Sequence, residues 1–233
     1  MLTEYRNTVW FHVMFGFLMP LGMLFFLKYA MGEVDTERAV YLVGGNLTTS
    51  VVYGPTMLLI NKIGWGRHTR DFDYWAALPL PKLGLVLAMV TVSLILAIPG
   101  ILILFLVGSL LLGLPLSSGL ALIPLIPLGS LSLVGLGAFL GTYAKDGQTA
   151  NHLANLLMAF VTFLSPTMIP LESMPAALRA IAPFTPITYV SNAFRAALAG
   201  NFGPAFAYDV AIMTLFGLGT LALAHFKLDW RSQ

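Results

Sequence analysis

The 233-residue chain contains no cysteine. That removes a disulfide framework, a thiol nucleophile and any cysteine-based metal site. Charge is nearly as scarce, with 9% of residues charged against 58% apolar, where soluble domains carry roughly a quarter charged and just under half apolar. Not one charged side chain lies between Lys82 and Lys145. A soluble enzyme, a secreted scaffold and a disordered tail are excluded by this shortage. The net charge of +2 comes with no run of Lys or Arg, so nothing resembles a nucleic-acid footprint. Motifs of chemistry are missing too. There is no G-x-x-x-x-G-K-[ST] phosphate loop and no H-E-x-x-H. Ser109 and Ser130 follow glycines but lack the G-x-S-G setting of an intramembrane protease. His12, His152 and His225 sit near the ends of apolar runs, where histidine is interfacial more often than catalytic.

What remains is apolar sequence cut into lengths that fit a bilayer. A hydrocarbon core of ~30 Å takes about 20 apolar residues per helix. Uncharged runs bounded by charge or turn residues predict six spans, near 11–29, 39–60, 83–112, 120–143, 151–169 and 206–226. The expected fold is therefore all-α and integral to the membrane. The first run, Val9 to Leu27, is too long for a signal peptide and lacks a small-residue cleavage site. With both termini inside, short loops place eight of the twelve Lys and Arg on the cytoplasmic side and four outside, which the positive-inside bias favours.

Three segments read differently. Residues 1–10, with Leu2, Tyr5, Val9 and Trp10 among polar neighbours, fit an interfacial amphipathic helix or the frayed first turn of the first span. Within the cytoplasmic loop 61–82, Thr69 suits a helix cap, and Asp71 and Asp73 fall in a first turn. Phe72, Trp75 and Ala76 share a face, and Pro79 and Pro81 stop the helix. This short helix either lies on the membrane surface or docks a soluble partner. On the outer side, residues 170–200 are punctuated by Pro170, Pro175, Pro183 and Pro186, which predicts two short helices broken at Pro183, dipping into the outer leaflet. Asp209 is expected to pair with Arg195 or Arg179, and Lys28 to reach the interface.

Polar residues inside spans are costly and face a bundle interior or a pathway. Asn46, Thr49, Ser50, Tyr53, Met57 and Asn61 form one helical face of the second span, and Asn151, Asn155, Thr162 and Ser165 one face of the fifth. These stripes either line a pathway or pack helices together. No acid or lysine sits at mid-depth to couple ions, which argues against a secondary transporter, the rival reading.

Two stretches resemble a known family. Leu164-Ser165-Pro166-Thr167-Met168-Ile169-Pro170-Leu171-Glu172-Ser173-Met174-Pro175, then Ile181-Ala182-Pro183-Phe184-Thr185-Pro186-Ile187-Thr188-Tyr189 and Ala193-Phe194-Arg195, is similar to the C-terminal signature of type-2 ABC exporter permeases. The cytoplasmic stretch Asp71 to Lys82 resembles that family's loop after the second span, with Asp71-Phe72-Asp73 where Gly-Thr-Leu-Glu is common. The resemblance implies that two permease copies, here a homodimer, join two separate ATP-binding subunits in a bacterial or archaeal cytoplasmic membrane, with ATP and Mg on those subunits and no cofactor on this chain. It implies that Arg70, Asp71, Phe72, Asp73 and Trp75 dock the ATPase. Glu172, Pro175, Pro186, Tyr189 and Arg195 would shape the broken outer helices. It also sets both polar stripes near the dimer interface, so that Asn46 and Tyr53 would approach the second copy. The cargo expected is an amphipathic small molecule, a lipid or a glycan.

Overall fold

A computed structural model describes residues 18, 20–26, 28–29, 32, 34–68, 82–167 and 170–227. The expected interfacial helix 1–10 lies outside the described residues, as do Arg70, Asp71, Phe72, Asp73 and Trp75, expected to dock the ATPase. All regular structure among the described residues is helical. Residues 20–26 are helical. Then come α1 (Thr36–His68), α2 (Lys82–Leu112), α3 (Gly119–Tyr143) and α4 (Gly147–Leu164). The short α5 (Ala176–Ile181), α6 (Pro186–Ala199) and α7 (Pro204–Lys227) complete the order, with single 3-10 turns at Leu116–Ser118, Leu171–Ser173 and Ala182–Phe184.

Among the described residues, three helices are long and apolar enough to cross a membrane: Gly84–Leu112, Leu116–Tyr143 and Pro204–Ala224. Leu102, Leu106 and Leu110 of α2 and Leu215 and Leu218 of α7 are exposed, as lipid-facing residues are. Pro99, Pro124 and Pro127 sit inside α2 and α3 without ending them, because neighbouring helices can satisfy the freed carbonyls.

The centre belongs to α1, a helix of 33 residues and so about 50 Å long. It packs against α2, α3, α4 and α6, burying Val43, Leu47, Val51, Leu59, Ile60 and Ile63 almost completely. Its polar groups fold back onto its own backbone. Asn46 Nδ2 donates to Leu42 O at 2.9 Å, Thr48 Oγ1 to Gly44 O at 2.7 Å and Ser50 Oγ to Asn46 O at 3.0 Å. This satisfies donors that lipid or an apolar core would leave stranded. The helix runs through 61–68, where the sequence predicts a loop. Ile63 and Gly64 are the cause, since Ile63 is buried against α2 and α3, and Gly64 lies so close to Ala150 that a Cβ would overlap it.

The other ends follow local chemistry. Asp35 caps α1 by accepting from Arg38 N at 2.8 Å, and Asp146 caps α4 by accepting from Thr149 N at 2.6 Å. That cap starts α4 at Gly147, four residues ahead of the expected span. Gly113 (φ +71°) and Gly200 (φ +69°) end α2 and α6 in the left-handed conformation that glycine adopts without strain. Leu114 N reaches Ser109 O and Asn201 N reaches Ala196 O across these ends. Lys28 was expected at the interface. It donates Nζ to Leu111 O at 2.8 Å, placing its charge on the negative end of α2.

With no hydrophobic force between helices in lipid, close packing does the work. Glycines of α3 supply it. Gly137 and Gly141 face Thr56, Ile60 and Ile63 of α1, and Gly135 lies against the Thr220 backbone of α7. Between 165 and 200 the chain bends at 182–185, where the 3-10 turn around Pro183 separates α5 from α6. Thr185 occupies the N-cap of α6, but its hydroxyl donates to Ala182 O at 2.7 Å.

Candidate functional site: a cleft between α1 and α4

The two polar stripes meet within the chain. Thr49, Val52 and Tyr53 of α1, Met158 and Thr162 of α4, Thr167 beyond it and Ile187 of α6 line a narrow cleft of about 10 Å³. That is room for about one water molecule. The lining holds three threonine hydroxyls, one phenol and apolar side chains, and no charge.

Other stripe residues go elsewhere. Asn46 is fully buried. Its burial places it within the chain and not on an exposed face. Its Oδ1 has no partner among the described residues. Ser50 is half-buried, and Met57 packs on the small cluster of Ile60, Ala144, Ala150 and Ala154. Asn151 and Asn155 lie exposed on α4. Ser165 is buried and turns to α6, donating to Thr185 Oγ1 at 3.1 Å. Of the residues expected on the outer side, Glu172 is exposed, Pro175 is the N-cap of α5, Pro186 begins α6, and Tyr189 donates its hydroxyl to Pro183 O at 2.7 Å.

Neither expected pairing of Asp209 forms. Asp209 is buried and takes a hydrogen bond from Asn192, while Arg179 Nη2 donates to Glu172 O at 2.7 Å. Arg195 donates Nη2 to Pro166 O at 2.7 Å and Thr167 O at 2.8 Å, and its guanidinium carbon stands 3.4 Å from the centroid of the Tyr41 ring. Burial lowers the Arg195 pKa to about 10, an effect that Tyr41 opposes, so the side chain stays cationic at neutral pH. Tyr41, Gly44 and Gly45, which seat this arginine, carry no polar periodicity and were missed by sequence reasoning. The adjacent glycines inside a helix were the available signal.

A family model, ABC-2 type transporter, matches residues 4–199. The chain belongs to that family. No curated protein and no solved structure matches it. The chain is thus a multi-pass membrane protein and the permease component of an ABC transporter. The match spans α1 through α6, and with them the cleft and both polar stripes of the transporter. It also covers residues 69–81, where the residues expected to dock an ATPase fall.

Proposed function

We propose that this chain is the membrane half of an ATP-driven exporter that moves an amphipathic small molecule, lipid or glycan outward, powered by a separate ATP-binding subunit. Two copies of the permease join two ATPase subunits in the cell membrane, each permease with six spans and both termini in the cytoplasm. Residues 170–200 dip into the outer leaflet. The observation that carries the reading is the uncharged cleft where Thr49 and Tyr53 meet Thr162 in a member of a transporter family. The exposed amides Asn151 and Asn155 support a second copy alongside α4, because amides left facing lipid are costly.

Docking by Arg70, Asp71, Phe72, Asp73 and Trp75 gives the test. The tagged permease should co-purify with an ATPase subunit. Trp75→Asp should release that subunit, or leave ATP hydrolysis uncoupled from transport, while membrane insertion is unchanged. Full coupled transport by that variant would sink the docking assignment, and a permease that transports with no ATPase partner would be a secondary transporter. The orientation has its own check. Single cysteines at Asp35 and Glu172 should react with an impermeant reagent added outside, and one at Lys145 should not. The reverse pattern would invert the topology.

A further inference from the structure

The turn formed by Ser165, Pro166 and Thr167 follows α4 and contributes Thr167 to the cleft wall. It is held by two other helices. From α6, Arg195 reaches both Pro166 O and Thr167 O. From α1, the Tyr41 hydroxyl donates to the same Pro166 O at 2.7 Å. Tyr41 and Arg195 also hold each other through the ring–guanidinium contact. Gly44 and Gly45 make this possible. A Cβ on Gly44 would stand 2.7 Å from Arg195 Cγ, and one on Gly45 would overlap the Thr167 carbonyl oxygen.

We propose that Tyr41 and Arg195 are positioning residues that latch the Ser165–Thr167 turn over the cleft as its outer closure, and that cargo leaves when this latch opens; the role as a closure rests on reading the cleft as the transport path. The chemistry suits a reversible device. No carboxylate among the described residues pairs with Arg195, the one ion pair among them being Arg38 with Asp35. The arginine is held by neutral carbonyls and a ring, whose bonds water can replace without stranding an opposite charge. Thr167 Oγ1 and Arg195 Nε are buried without a partner among the described residues, two polar atoms that gain hydrogen bonds when the turn lifts and water enters. The turn is also the part of the wall with the least backbone pairing. Its internal bond is Thr167 N to Ser165 O at 2.8 Å.

The cysteine-free chain lends itself to a direct test. Thr167→Cys places a thiol at a side chain that is 2% exposed, and its reaction with an impermeant maleimide is timed in membranes. Adding Tyr41→Phe removes one hydroxyl and keeps the ring; adding Arg195→Lys keeps the charge and removes the fork. Each should speed labelling about five- to tenfold, the effect of losing one hydrogen bond on an opening equilibrium. Thr91→Ala, a loss of an exposed hydroxyl on α2 that donates to Leu87 O, should leave the rate unchanged. Parental labelling rates in both latch variants would overturn the proposal. Should Arg195→Lys fail to accumulate, Tyr41→Phe decides alone. The labelling requires no ATPase, so a faster rate in the latch variants keeps the latch even where failed co-purification with an ATPase has rejected the exporter.

Discussion

Gly135→Val is expected to abolish assembly of the permease, seen as loss of the monodisperse protein from detergent extracts. The glycine is buried in α3 where a Cβ would overlap the Thr220 carbonyl of α7. Backbone cannot yield as a flexible side chain does, so α3 and α7 would have to separate. They share one of the main helix contacts of the protein. Overpacking of a close contact costs about 1–3 kcal/mol and more where backbone must move. A loss of ~2 kcal/mol already shifts a folding equilibrium by more than tenfold. Gly219→Ala is the matched control, because α7 has open space at that position. It should accumulate as the parent does. If Gly135→Val yields the same folded protein as Gly219→Ala, the close approach of α3 and α7 is wrong.

The second large effect concerns the cleft. Thr162→Trp should eliminate transport while leaving permease assembly and ATPase binding intact. The cleft has room for about one water molecule, and an indole there would hold α1 and α4 apart or fill the space that opens between them. Ser50→Trp, one residue from Thr49 on the same stripe, should act in the same direction. Leu87→Trp is the control, since Leu87 is exposed on α2 and lipid accommodates added apolar bulk. Transport assays on reconstituted vesicles, with ATP hydrolysis measured in parallel, read all three. Normal transport by both Thr162→Trp and Ser50→Trp would reduce the stripes to helix-packing contacts.

Both predictions show what sequence reveals and what it hides. The helices α2, α3 and α7 were legible because uninterrupted apolar runs have little alternative in a bilayer, and Gly113 marked the end of α2. The last two turns of α1 were not. Asn61, Lys62, Gly64, Gly66 and Arg67 read as a polar loop, and burial of Ile63 with the close fit of Gly64 on Ala150 overrides that local signal. At the site, helical periodicity found Thr49, Tyr53 and Thr162. It also promoted Asn46, whose amide serves its own helix. The partners of Arg195 stayed hidden because two are backbone carbonyls, which every residue possesses, and the third is a tyrosine more than 150 positions away in sequence.

The buried polarity of α1 also bears on how the protein enters the bilayer during synthesis. Asn46, Thr48, Thr49, Ser50 and Thr56 make α1 a weak candidate for insertion by apolarity alone, and α1 is not among the helices apolar enough to span by composition. Yet it leaves the ribosome before α2, α3, α4 and α6, the helices that surround it. Bonds from Asn46, Thr48, Thr49 and Ser50 to carbonyls one turn earlier lower the cost of that interval. They do not remove it. Stable entry of α1 therefore waits for α3, whose glycines close on it, and a chain arrested before Gly119 leaves its central helix able to slip back into water.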